Sequence, residues 1–77
     1  MTLELFKFDT CPFCRKVMNY IESTGRTDIT FHDIRKDHDA AKRLTETGGK
    51  SQVPCLFIDG EPLYESSDII EWLEAHP

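Results

Sequence analysis

A chain of 77 residues with fourteen acidic and nine basic side chains carries a net charge of −5 and has no dense basic block, so it lacks the electrostatic footprint of a nucleic-acid binder. At this length one small domain, residues 1–77, is expected, burying about 60 per cent of the surface its unfolded chain exposes and leaving no room for a second core. No apolar stretch approaches a signal-peptide core or a membrane span. With three cysteines, two of them close together, the expectation is a soluble protein of a reducing compartment, the cytoplasm, without membrane association.

Leu3, Leu5, Phe6 and Phe8 make a nearly continuous apolar run, the pattern of a strand covered on both faces, and Asp9-Thr10 breaks it. A helix is predicted from Pro12 to Ser23, burying Val17, Met18, Tyr20 and Ile21 and stopping at Gly25. Ile29 to Ile34, rich in β-branched and aromatic residues, gives a second strand. The polar stretch Arg35 to Asp39 leads into a helix through Ala40, Ala41 and Leu44 that stops at Gly48-Gly49. Lys42-Arg43 falls on this helix among Asp37, Asp39 and Glu46, as a solvated face with local ion pairs. A third strand is predicted from Val53 to Ile58, a hairpin turn at Asp59-Gly60, and a short antiparallel strand at Leu63-Tyr64. A last helix from Ser67 to Ala75 turns Ile69, Ile70, Trp72 and Leu73 inward, with Ser66 or Ser67 as its cap. The order βαβαββα defines an α/β sandwich of minimal size, helices on a four-stranded mixed sheet.

Cys11-Pro12-Phe13-Cys14 lies where the first strand gives way to the first helix. As a staple it is weak, since a four-residue disulfide loop is worth only about 2 kcal/mol against almost 5 for a long one. As chemistry it is well placed. Free N–H groups and the positive end of the helix dipole favour a thiolate, and such settings hold cysteine pKa values at roughly 3.5 to 7.5. Cys11 is therefore the candidate nucleophile. Pro12 has no N–H to leave unpaired in the first turn, and Cys14, one turn along on the same side, is placed to attack a mixed disulfide formed at Cys11. A structural zinc site needs about four ligands; one Cys-x-x-Cys, a distant Cys55 and the scattered His32, His38 and His76 do not supply them, and no metal is expected. Cys55 reads as a small buried hydrophobe of the third strand, with a third redox thiol as the alternative.

Taken with the order of elements, the Cys-Pro-Phe-Cys motif, Gln52-Val53-Pro54 at the opening of the third strand and the Asp59-Gly60 hairpin resemble the glutaredoxins, small oxidoreductases of the thioredoxin fold, over nearly the whole chain. Thioredoxin itself is a poorer match: its family has Trp before Cys-Gly-Pro-Cys, whereas Thr10 precedes the motif here and the only Trp is Trp72. The resemblance implies a thioredoxin-like fold, a four-stranded mixed sheet flanked by three helices. Cys11 and Cys14 would be catalytic, with Pro12, Phe13 and Pro54 in support. Glutathione would be the co-substrate, disulfide-containing or glutathionylated proteins the partners, and the protein a monomer. It further implies a cis peptide bond at Pro54, a trans edge-strand proline being the alternative, and backbone pairing of Val53 with the cysteine of glutathione. The γ-glutamyl end would sit at the start of the last helix, against Glu65, Ser66, Ser67 and Asp68, where a carboxylate at a helix N-terminus needs no special machinery.

Two departures stand out. Many glutaredoxins have Gly-Gly where this chain has Tyr64-Glu65, and Glu65-Ser66 resembles the pair with which glutathione transferases hold the γ-glutamyl group. Many also carry a lysine three residues before the first cysteine, where this chain has Phe8. Lys7, one place off, belongs to the opposite face of the strand, which leaves the glycyl carboxylate to another group such as Lys50. The activity implied is glutathione-dependent reduction of protein disulfides and protein-glutathione mixed disulfides. The alternatives are the thioredoxin-like first domain of a glutathione transferase and a glutathione-ligated iron-sulfur carrier, which Pro12 disfavours by resemblance.

Overall fold

A strand whose successive side chains point to opposite faces needs two partners, and the first strand finds a helical layer on each side. A computed structural model describes residues 1–77, and its elements run β1 (Leu3–Lys7), α1 (Pro12–Thr24), β2 (Ile29–Asp33), α2 (His38–Gly48), β3 (Cys55–Ile58), β4 (Glu61–Tyr64) and α3 (Ser66–Ala75). The sheet order is β2-β1-β3-β4. β1 runs parallel to β2, Leu3 opposite Ile29, through the crossover that α1 supplies; it runs antiparallel to β3, which pairs antiparallel with β4. Leu3, Leu5, Ile29 and Leu56 pack under Val17 and Ile21 of α1 and Ile69 and Leu73 of α3. Phe6, Cys55 and Phe57 face the other way, onto Ala40 and Leu44 of α2.

All seven predicted elements are present, and the differences have local causes. β3 begins at Cys55 rather than Val53, because Pro54 has no N–H to give to a ladder. β4 begins earlier than expected, at Glu61, and as an edge strand it tolerates Pro62 opposite Phe57. Asp59 and Gly60 both adopt positive φ, 51° and 87°, the signature of a type I′ hairpin turn. Arg43 does not stay among the acids of its own helix. Its guanidinium grips both oxygens of Glu4 on β1 at 2.8 and 3.1 Å, and His32 of β2 reaches the same carboxylate at 3.0 Å. Lys42 makes the expected local pair, 3.9 Å from Glu46. The Val53-Pro54 peptide bond is cis.

Where α2 meets β4, the Tyr64 hydroxyl donates to the Lys50 carbonyl at 3.2 Å and passes directly over Gly48, leaving no space for a Cβ there. No helix is long and apolar enough to cross a membrane.

Candidate active site

The loop from Phe8 to Cys11 turns β1 into α1, and Cys11 itself occupies the N-cap of that helix with extended backbone angles. The Cys14 N–H donates to the Cys11 sulfur at 3.4 Å, so the sulfur fills the place that a serine or aspartate oxygen takes at an ordinary cap. Such a cap selects for negative charge on its acceptor, and Pro12 at the first helical position removes one competing donor. Cys11 keeps 9% of its surface exposed, whereas Cys14 is fully covered, and both are free thiols. Burial pushes the Cys14 thiol up to about 12, as does its hydrogen bond with Cys11, against a backbone hydrogen bond from Phe8 and the nearby Lys7 ammonium. The pair is thus divided into a sulfur at the surface edge, in the cap of α1, and a neutral thiol buried beneath it.

The charges of α1 oppose its dipole. Arg15 and Lys16 stand near its N-terminus, no acid lies in its first turn and no base in its last, which carries Glu22. Each misplaced charge costs about 0.3–1 kcal/mol of helix stability. α2 has the usual polarity, with the Asp37 side chain accepting from the Ala40 N–H at 3.1 Å and Asp39 in the first turn. Beside the active loop, the Lys7 ammonium is 2.7 Å from Asp9 and 3.8 Å from Asp33, and holds the Asp9 carboxyl below the usual range. Arg35, from the loop after β2, lays its guanidinium over the Phe8 ring at 3.8 Å and donates to the Thr10 hydroxyl at 3.0 Å.

Next to Phe13 opens a cleft of 440 Å³ lined by Lys16 of α1, by Gln52, Val53 and Pro54 ahead of β3, and by Glu65, Ser66 and Ser67 at the start of α3. The structure therefore gathers Phe13, Val53, Pro54, Glu65, Ser66 and Ser67 of the expected set. Asp68 it turns to the adjoining groove with Leu63, Glu71 and Trp72. Ser66 and Ser67 are not caps: α3 starts at Ser66, and its N-cap is Glu65, at φ 71° and ψ 126°, with no side chain closing the helix end. With the cap at Glu65, both serines are already helical residues and neither stands where a side chain closes the end.

Gln52 and Lys16 escaped the sequence reading. Gln52 donates from Nε2 to Glu65 at 2.9 Å, and only its place directly before Val53-Pro54 hinted at the cleft. Cys55 is fully buried between Phe6 and Tyr64 in the ladder, and burial pushes its thiol up to about 11. No group of three or more His, Cys, Asp or Glu side chains is arranged to hold a metal ion.

A dithiol at a strand-to-helix junction, beside a cis proline on a four-stranded sheet of this order, defines a thiol oxidoreductase of the thioredoxin-like fold. The glutaredoxin family model matches residues 3–63, and the chain belongs to the glutaredoxin family, whose members are thiol–disulfide oxidoreductases. It is 26% identical over 68 residues to a probable glutaredoxin of Synechocystis sp., covering 87% of this chain and 76% of that protein. Among solved structures it is similar to the thioredoxin-like protein BC3987, with a TM-score of 0.80 and 26% identity over 96% of this chain and 97% of the other. It shares its fold with the holo form of glutaredoxin C1 from Populus tremula x tremuloides, at a TM-score of 0.71 and 18% identity over 95% and 74% of the two chains. The same fold recurs in glutathione transferase Omega 3C from Trametes versicolor, at a TM-score of 0.79 and 20% identity, where 99% of this chain spans 34% of the transferase.

Proposed function

We propose that the protein is a glutathione-dependent oxidoreductase that reduces protein-glutathione mixed disulfides and protein disulfides, acting in a reducing compartment such as the cytoplasm. The observation that carries this reading is a sulfur capping α1 beside a cleft whose far wall is the uncapped N-terminus of α3. Glutathione fits that cleft by chemistry: its γ-glutamyl carboxylate meets the free N–H groups and the hydroxyls of Ser66 and Ser67, and its ammonium meets Glu65. Its cysteine lies along the Val53 backbone next to Pro54. Asp68 contributes negative charge from the adjoining turn.

In the reaction the Cys11 thiolate attacks the glutathione sulfur of a protein-S–S-glutathione disulfide. A Cys11–glutathione disulfide forms, the original S–S bond breaks, and the protein sulfur leaves as a thiolate that takes a proton from solvent. A second glutathione thiolate attacks the sulfur of the bound glutathione, so glutathione disulfide leaves and Cys11 returns to thiolate. With a protein disulfide as substrate, Cys14 loses its proton and displaces the protein from Cys11, closing a Cys11–Cys14 disulfide that two glutathiones then reduce.

The test is the reduction of a mixed disulfide between glutathione and a small thiol, coupled to glutathione reductase, in the wild type and Cys14→Ser. Activity in both supports the reading, with loss of dithiol-dependent disulfide reduction expected in Cys14→Ser alone; inactivity of both refutes it. Glu65-Ser66 favours a second reading, the glutathione-binding domain of a transferase, for which conjugation of glutathione to an electrophile is the measurement.

A further inference from the structure

The basic side chains divide sharply by partner. Lys7, Arg26, Lys36, Lys42 and Arg43 each lie within 3.9 Å of a carboxylate oxygen, whereas Arg15, Lys16, Arg35 and Lys50 have no carboxylate partner. On a chain with fourteen acids for nine bases, free cations are scarce, and three of the four belong to the segments that flank Cys11: the start of α1 and, through its bond to Thr10, Arg35. Arg15 and Lys16 follow the motif on α1, against the helix dipole. Arg35 arrives from the other side of the loop, fixed on the Phe8 ring and bonded to Thr10, the residue before Cys11. That bond uses one of its five N–H donors, and the residue is exposed.

These cations do not share one task. Lys16 lines the cleft assigned above to glutathione, but Arg15 and Arg35 are outside it. A mixed disulfide has two halves, and when glutathione occupies the cleft the protein half must lie across the remaining rim of Cys11. We propose that Arg35, with Arg15 at the start of α1, is the specificity determinant for that protein half, and that it selects cysteines flanked by aspartate or glutamate. A guanidinium held over an aromatic ring and bonded to a hydroxyl has lost part of its freedom already and keeps donors for pairing with a carboxylate. Of the acids nearby, Asp9 is held mainly by Lys7, with Lys36 and Arg15 also near it, and Asp33 accepts from the Arg35 backbone N–H and lies 3.8 Å from Lys7, so neither carboxylate pairs with the Arg35 guanidinium. The inference rests on the glutathione-dependent reading, and the experiment separates the two.

Two glutathionylated peptides, identical except for Asp or Lys on either side of the cysteine, are compared by kcat/KM. The acidic peptide is expected to be favoured about tenfold at low ionic strength and no more than about twofold in 0.5 M salt. Arg35→Gln, which keeps a donor for Thr10 and loses the charge, is expected to cut the low-salt preference to about threefold, with Arg35→Lys retaining most of it. Turnover of a small neutral mixed disulfide should not change in either variant. Equal rates on the two peptides, or an unchanged preference in Arg35→Gln, overturn the proposal. If the wild type reduces no disulfide at all, the proposed activity falls, and titration of the unmodified peptides decides this one: shifts of the Thr10 and Arg35 amide resonances with the Asp peptide alone support it, and their absence overturns it.

Discussion

Two helix N-termini face the same cleft, and they treat the same problem in opposite ways. α1 closes its end with its own atom, the Cys11 sulfur accepting from the Cys14 N–H, and sets cations nearby. α3 has no side-chain cap and sets acids around its end, Glu65 at the cap position and Asp68 in the first turn. Each helix offers outward N–H groups and a positive dipole end. In α1 that end is closed by a covalently attached sulfur. In α3 it is left for a group that comes and goes. On the function proposed above, the end with an internal acceptor holds the nucleophile and the end without one is the docking point.

The largest effect expected from disturbing this arrangement is at Cys11. Cys11→Ser should lower glutathione-dependent reduction by about a thousandfold or more, since the two other thiols, Cys14 and Cys55, are fully buried. Serine is itself a good cap, so the melting temperature should hardly move. A large loss of stability, seen by circular dichroism on heating, would mean that the sulfur matters for more than its reactivity.

Glu65→Gly probes the other end. The glycine relieves a backbone angle that is costly for glutamate, so stability should rise by about 1 kcal/mol. The carboxylate assigned above to the glutathione ammonium is lost, and on that assignment KM for glutathione should rise about tenfold. Denaturant unfolding and steady-state kinetics read the two signs separately, and a fall in KM would remove Glu65 from the site.

A control lies far from both ends, in the pair of Glu4 with Arg43. The Arg43 guanidinium, followed by His32, holds the Glu4 carboxyl down to about 2. Its folded value is below its unfolded one, so the stabilisation is fully present above about pH 4.5 and is lost as pH falls toward 2. Glu4→Gln should cost about 2 kcal/mol at neutral pH and flatten acid unfolding in that window, with activity unchanged. The smallest effect belongs to Lys16→Glu, which corrects the polarity of α1 and should stabilise the protein by about 0.5 kcal/mol while slowing turnover.

What the sequence revealed divides along the same lines. Apolar spacing and the glycines marked all seven elements, because periodicity and turn chemistry are local properties; Gly25 and Gly49 end α1 and α2 in the left-handed conformation, as their positions suggested. Cys11 and the cleft residues followed from a short motif and its setting. The serine caps did not form, because the cap depends on the φ of Glu65, which no residue pattern announces in a non-glycine. Arg43 on Glu4 and Arg35 on Thr10 join residues 39 and 25 positions apart, and such pairings arise only when the sheet brings β1, β2 and α2 together. Gln52 on Glu65 is of the same kind, a contact made by the meeting of two loops.

The Tyr64 hydroxyl resting on Gly48 sets a rule for how this sequence can drift. Most surface positions of a helix accept many residues one at a time, but a side chain at position 48 must displace the Tyr64 hydroxyl from its bond to Lys50. The two sites are tied as a pair: a change at 48 is accommodated by movement of the tyrosine or by a smaller residue at the strand. Relatives with a small residue in place of Tyr64 are free of that tie, so variability at the end of α2 should track the residue two places before α3.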